Sequence, residues 1–127
     1  MKAPRASKLV VVIDDDPLVL EATGGLLRSW GFKVVAAESH AEAVAQLARQ
    51  GRRPDLIVCD YRLSEGARGT DVIERLRNAF EIPALLISGD SAAPLADTGL
   101  GSYNLLHKPL DAARFHAALV DAFDLQA

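Results

Sequence analysis

Short apolar runs alternate along the chain with longer segments in which apolar residues recur every three or four positions. Three of the five runs, residues 9–13, 56–59 and 84–87, are unbroken, which is typical of central strands that are covered on both faces. The other two runs are residues 33–36 and 103–106. We predict one strand in each run.

The first two helical segments begin with recognisable capping residues. Asp16 followed by Pro17 is an N-cap with proline at the first helical position. Ser39 and Glu42 have the spacing of a capping box, and Gly51 closes the helix that they open. The core-facing residues that we predict are Leu18, Val19, Ala22, Leu26 and Trp30 on the first helix and Ala43, Val44, Leu47 and Ala48 on the second.

The later segments complete an alternation of strands and helices. Apolar stripes predict a third helix with Val72, Ile73, Leu76, Ala79 and Phe80, and a fifth with Phe115, Leu119 and Phe123. Any fourth helix, within residues 91–101, is short because that segment contains proline and glycine. This order predicts an α/β fold with a doubly wound, mostly parallel, five-stranded sheet, because parallel strands need crossover connections. Ligands of such sheets bind beyond the carboxyl ends of the strands.

Polar residues stand at that edge of the predicted sheet. They are Asp14, Asp15 and Asp16 after the first strand, Asp60 after the third, Ser88 after the fourth and Lys108 after the fifth. One aspartate suffices to cap a helix, so capping does not account for the whole set. Carboxylates that converge in one crevice repel one another unless a cation lies between them. Oxygen ligands favour Mg²⁺ over zinc, for which the sequence has no His or Cys cluster.

Composition narrows the class of protein. The chain has 127 residues, and the 50% that are apolar suffice for one compact domain with a core. A net charge of -3 indicates neither a nucleic-acid surface nor a polybasic membrane anchor. The longest apolar run, residues 9–13, is too short to span a membrane. A single cysteine, Cys59, indicates a reducing cytoplasm.

Four motifs stand at the strand ends in the order VVVIDDDP, LIVCDYRL, LLISGD and LLHKP. In order and approximate spacing they resemble the receiver domain of two-component response regulators, over residues 8–123. The resemblance implies a flavodoxin-like receiver fold with strand order 2-1-3-4-5 and five helices. It places the domain at residues 8–127, after a flexible tail or linker remnant at residues 1–7.

The resemblance also implies a chemistry, a Mg²⁺-dependent and self-catalysed transfer of a phosphoryl group from a histidine of a sensor kinase or phosphotransfer protein. Asp60 would be the phosphoacceptor and a metal ligand, Asp15 a direct Mg²⁺ ligand, and Asp14 a ligand mainly through water. The remaining implied groups are the backbone carbonyl of Arg62 on the metal, the Ser88 hydroxyl on the phosphoryl group, and Lys108 pairing with its charge.

Three positions differ from the usual family pattern or vary within it. Leu105 stands where an aromatic switch residue is common, which favours plain packing there. Arg62 and Asp90 occupy the positions that border the path of the water that hydrolyses the acyl phosphate. Their opposite charges predict an ion pair that slows hydrolysis, and the alternative is that both side chains point into solvent.

More than one protein context and more than one function fit this sequence. The segments CDYRL, SGD and LLHKPL resemble receivers at the carboxyl end of hybrid sensor kinases, without an output domain, and a free-standing single-domain regulator is the alternative. Asp14-x-Asp16 also imitates the nucleophile motif of metal-dependent phosphohydrolases, although Leu18 does not fit that motif. A receiver that serves only as an inert interaction module is a further alternative, against which the intact acidic set argues.

Overall fold

Five strands form the centre of the molecule. The computed structural model describes residues 8–60, 72–76, 82–88, 103–107 and 111–126. The strands are β1 (Leu9–Ile13), β2 (Lys33–Ala37), β3 (Leu56–Asp60), β4 (Ala84–Ser88) and β5 (Tyr103–His107). They pair in parallel in the order β2-β1-β3-β4-β5. The predicted sheet and strand order are confirmed, and all strands but β1 extend one residue beyond the predicted end.

Helices connect and cover the strands. They are α1 (Pro17–Ser29), α2 (His40–Gln50) and α3 (Ala112–Gln126), and residues 72–76 are also helical. Both predicted N-caps are confirmed, since Asp16 Oδ1 accepts from the Leu18 N–H at 2.9 Å and Ser39 Oγ from the Glu42 N–H at 3.1 Å. Gly51 ends α2 with a φ of 62°, a left-handed conformation that favours glycine. No helix in the described part of the chain is long and apolar enough to cross a bilayer.

Alternating side chains of the strands pack into two apolar clusters, one on each face of the sheet. One cluster joins the strands to α2 and to residues 72–76, and the other joins them to α1 and α3. Representative members are Val11, Leu47 and Ile73 in the first cluster and Val12, Leu27 and Phe115 in the second. Helices on both faces make this the doubly wound architecture that the sequence predicts.

The predicted core residues of the later helices face the core where the structure describes them, although Phe123 is only half-buried against it. Val72, Ile73 and Leu76 are buried, as are Phe115 and Leu119. The predicted helical positions Ala79 and Phe80, and the segment 91–101, lie outside the described residues.

The face that α1 turns to the core differs from the prediction. Leu18 was expected in the core and is 76% exposed, whereas Leu20, Thr23, Gly24 and Leu27 are buried. Thr23 and Gly24 lie between Leu20 and Leu27 on the buried face of the helix, but neither is strongly apolar. The hydrophobic pattern therefore indicated an adjacent face of the helix instead. The small Gly24 lets the helix lie close to β2.

The predicted core face of α2 is wrong at two of its four residues. Ala43 and Leu47 face the core as predicted, but Val44 is 44% exposed and Ala48 is exposed. His40, the first residue of α2, is half-buried. Burial first, and the positive charge of Arg75 second, lower the pKa of His40.

Aromatic side chains join the end of α1 to α3. The Trp30 ring packs edge-on against Phe115 and His116, with centroid separations of 5.7 and 4.9 Å. Phe32 is buried and stacks on Phe123 at 5.6 Å. The Trp30 contacts therefore join the end of α1 to α3, and Phe32, which lies between α1 and β2, adds a second aromatic contact to α3.

Gly25 offers a direct test of the helix energetics. It is exposed within α1, and no heavy atom lies within 4 Å of the position of an added Cβ. We expect Gly25→Ala to raise the free energy of unfolding by about 0.5–1 kcal/mol, because alanine loses less backbone entropy in a helix. Urea denaturation followed by circular dichroism measures this change.

Gly24→Ala is the matched control for that measurement. Its Cβ would lie 3.3 Å from Arg28 Nη1 and 3.6 Å from Val34 Cγ1, so we expect a smaller gain. A Gly25→Ala protein no more stable than the wild type would contradict the prediction.

Candidate functional site

The register of the sheet brings two aspartates to one edge. Ile13 of β1 pairs with Cys59 of β3, so the residues that follow them, Asp14 and Asp60, lie side by side at the carboxyl ends of adjacent strands. The Asp14 N–H donates to the carbonyl oxygen of Ala37 at 3.1 Å, which continues the β1–β2 pairing beyond the last strand residue. Backbone pairing with β2 therefore fixes the position of Asp14, and the pairing of β1 with β3 places Asp60 beside it.

Three carboxylates meet at this edge. Asp14, Asp15 and Asp60 each offer one oxygen, and these oxygens all lie within 4.8 Å of one another. Asp14 is 3% exposed and Asp60 is 7% exposed, while Asp15 is half-buried. Like charges at this separation and burial repel one another strongly unless a cation or proton compensates them. The predicted convergence of these three residues is confirmed.

The donor set fits Mg²⁺. The ion binds oxygen ligands at about 2.0–2.1 Å in octahedral geometry, so its ligand atoms lie roughly 3–4 Å apart. Three carboxylate oxygens within 4.8 Å of one another can reach that spacing through small side-chain movements. The partial exposure of Asp15 leaves one side of the group open to water, and Mg²⁺ usually keeps several water ligands.

Asp16, the third aspartate of the triplet, lies outside this group of ligands but contacts it. Its side chain is exposed and caps α1, while its backbone N–H donates to Asp14 Oδ1 at 2.9 Å. The sequence indicated Asp16 as a helix cap and as part of the acidic set, but it did not indicate this hydrogen bond, because a backbone contact leaves no mark on residue type. Its position between the acidic pair and Pro17 was the available signal.

Cys59 precedes Asp60 and is fully buried, as is common for a free cysteine, which packs as a small apolar residue. Burial, then the neighbouring charges of Asp60 and Asp14, raise the pKa of its thiol well above the ordinary value. The Sγ donates to the Asp60 carbonyl oxygen at 3.4 Å. The thiol therefore remains protonated and serves as packing at the base of the acidic group.

Of the remaining predicted site residues, the structure describes only Ser88. Ser88 is the last residue of β4, and its backbone pairs in register with His107, the last residue of β5. Lys108 follows His107 directly in the sequence, but Lys108, Arg62 and Asp90 lie outside the described residues. Their predicted roles stay predictions.

Comparisons with known proteins agree on one family. A family model described as the response regulator receiver domain matches residues 10–120. The chain is 32% identical to the transcriptional regulatory protein GlrR of Escherichia coli K12, over 93% of this chain and 27% of GlrR. It is 34% identical to the acid tolerance regulatory protein ActR of Rhizobium meliloti, over 89% of this chain and 58% of ActR. The chain thus matches only part of each of these relatives.

The fold has close structural neighbours. A crystal structure of a response regulator receiver protein from Sinorhizobium medicae WSM419 superposes with a TM-score of 0.82 and 26% sequence identity. The match covers 94% of this chain and 97% of that protein.

The crowding of carboxylates predicts a thermal response to magnesium. A ligand that binds only the folded form stabilises it by about 1.4 kcal/mol at ten times its dissociation constant, so Mg²⁺ held between these carboxylates should stabilise the native state by this amount. This corresponds to a rise in Tm of roughly 3–8 °C, measurable by scanning calorimetry. Asp15→Ala should remove most of the rise, whereas Asp121→Asn, on the exposed surface of α3, should retain it. An unchanged wild-type Tm would contradict the prediction.

Proposed function

Because the chain belongs to the response regulator receiver domain family, we propose that it accepts a phosphoryl group on Asp60 and acts as a phosphorylation-dependent signalling switch. The observation that carries this proposal is the convergence of Asp60 with Asp14 and Asp15 at one edge of the sheet. Phosphoryl transfer onto a carboxylate brings two anions together, so it needs a site that can hold a cation beside the acceptor.

The geometry favours Asp60 over its neighbours as the acceptor. Asp60 ends β3, which lies between β1 and β4, so groups from both neighbouring strands can surround a phosphoryl group there. The Asp14 carboxylate accepts from the Asp16 N–H, which suits a fixed metal ligand, and Asp15 lies on the more open side of the group, where Mg²⁺ can keep water ligands. We therefore assign Asp14 and Asp15 to metal binding and Asp60 to the covalent step.

The proposed step transfers the phosphoryl group from a phosphohistidine of a sensor kinase or phosphotransfer protein. An oxygen of Asp60 forms a bond to phosphorus as the P–N bond breaks, and the electron pair of that bond returns to the imidazole. A bound Mg²⁺ would neutralise negative charge on the transferring group. Lys108 and the Ser88 hydroxyl would pair with the phosphoryl oxygens, and the Arg62 carbonyl would complete the metal ligands.

Replacing the acceptor tests this assignment. Asp60→Asn should abolish covalent labelling by acetyl phosphate and Mg²⁺, because an amide does not supply the nucleophilic oxygen. Intact-protein mass spectrometry reads the gain of one phosphoryl group. Asp121→Asn makes the same chemical change on the exposed surface of α3 and should label at the wild-type rate.

The labelling experiment also distinguishes the alternative functions. Wild-type labelling of Asp60→Asn would overturn the assignment of the acceptor. Continuous release of phosphate with no stable adduct would favour the phosphohydrolase. An absence of both labelling and turnover in the wild type would favour the inert interaction module.

Leu18 gives the proposed donor protein an apolar contact beside the site. It is 76% exposed in the first turn of α1, and its N–H is held by Asp16, two residues beyond Asp14. Among the described residues, Leu18 and Val44 are the exposed large hydrophobic side chains, and Leu18 is the one next to the acidic group in the sequence. A protein that presents a phosphohistidine to Asp60 would approach this edge and cover Leu18.

We therefore expect Leu18→Ser to lower kcat/KM for transfer from a phosphorylated donor protein by about 10- to 150-fold, since burying a leucine contributes about 1.5–3 kcal/mol. Labelling by acetyl phosphate should stay near the wild-type rate, because the small donor needs no docking surface. Val44→Ser removes an exposed apolar side chain from α2 and should leave both rates unchanged. Equal loss with both donors would refute the docking role.

The proposal also covers the location of the protein, the larger protein to which the domain belongs and the lifetime of the acyl phosphate. A cytoplasmic location agrees with the reduced and buried Cys59, and neither nucleic acid nor a membrane is part of the proposed interaction.

The hybrid-kinase context rests on the CDYRL, SGD and LLHKPL segments, with a free-standing regulator as the alternative. An ion pair between Arg62 and Asp90 would slow hydrolysis of the acyl phosphate by narrowing the path of the attacking water.

A further inference from the structure

Asp16 connects the first turn of α1 to a carboxylate of the proposed metal site through three hydrogen bonds. Its N–H donates to Asp14 Oδ1 at 2.9 Å. Its own Oδ1 accepts from the Leu18 N–H at 2.9 Å, and its carbonyl oxygen accepts from the Leu20 N–H at 3.0 Å. One residue thus faces the acidic group with its amide and the helix with its side chain and carbonyl.

The backbone conformation of Asp16 lets it contact Asp14 and the first turn of α1 at the same time. Its φ of -98° and ψ of 111° are extended, as is favoured for a residue before proline. The cap to the Leu18 N–H closes a short turn around Pro17 and fixes the direction of the Asp16 peptide. The amide so fixed reaches Asp14, which is 3% exposed and has little access to solvent that could replace the bond.

We propose that Asp16 is a positioning residue for the cation site, because its capping contact holds the amide that orients the Asp14 carboxylate. The inference rests on the proposed function, since it concerns the same site. Asp16 does not itself coordinate the ion. Residues that hydrogen-bond to a metal ligand commonly alter metal affinity about 10–100-fold when they are replaced.

Coupling of this kind is reciprocal. If the capped turn orients Asp14 for the ion, then binding of the ion orders the capped turn. Addition of Mg²⁺ should therefore slow hydrogen exchange at the Leu18 and Leu20 amides. The Glu42 and Ala43 amides, which belong to the first turn of α2 and are capped by Ser39, should not respond, because first-turn amides exchange through local opening.

The decisive experiment measures Mg²⁺ affinity of the full chain by isothermal titration calorimetry. We expect Asp16→Ala to weaken binding about tenfold. Asp16→Asn should bind nearly as the wild type does, because asparagine is an equally good cap and the lost charge is exposed and screened. Ser39→Ala is the matched control, since it removes an equivalent N-cap from α2 and should lower the Tm without changing Mg²⁺ affinity.

The outcomes separate positioning from simple helix capping. If Asp16→Ala lowers the Tm as Ser39→Ala does but binds Mg²⁺ with wild-type affinity, the inference is wrong and the proposed function stands. Equal weakening in Asp16→Asn and Asp16→Ala would assign the effect to charge and also overturn it. Should Asp16→Ala not fold, the exchange rates of the wild type decide, and a lack of response at Leu18 and Leu20 refutes the coupling. A wild type that neither binds Mg²⁺ nor accepts phosphate would remove the proposed function itself.

Discussion

Parallel pairing of β1 with β3 is the constraint on which the acidic site depends. Ile13 lies opposite Cys59 and both strands run in the same direction, so Asp14 and Asp60 emerge together at one edge. The two strands are buried along their whole length between apolar clusters on both faces of the sheet. Apolar burial contributes about 25 cal/mol per Å². This stabilisation holds two buried carboxylates closer together than their charges favour.

Helix α1 connects the acidic edge of the sheet to α3 along one face of the sheet. Its capping residue Asp16 contacts the acidic group, and Trp30 at its other end contacts α3. Between these ends, Gly24 and Gly25 together lower the intrinsic helix stability by about 1–2 kcal/mol relative to alanine. The helix therefore depends on its cap and on the packing of core residues such as Leu27 more than on local propensity.

The parts of this structure that were predictable from the sequence have strong local signals. Unbroken apolar runs that end in aspartate indicated the central strands and the site together, as at Asp60. The core face of α1 was not predictable from hydrophobicity, because Thr23 and Gly24 face the core through helix geometry and small size. The bond from the Asp16 amide to Asp14 was equally hidden, since every residue except proline carries that amide.

Trp30 is the single tryptophan of the chain, and its ring stands edge-on to Phe115 and His116 between α1 and α3. Indole fluorescence depends on the polarity around the ring and on neighbouring imidazole groups. Tryptophan emission from this protein therefore originates at one helix–helix contact. The domain carries an intrinsic optical reporter of how α1 and α3 are joined.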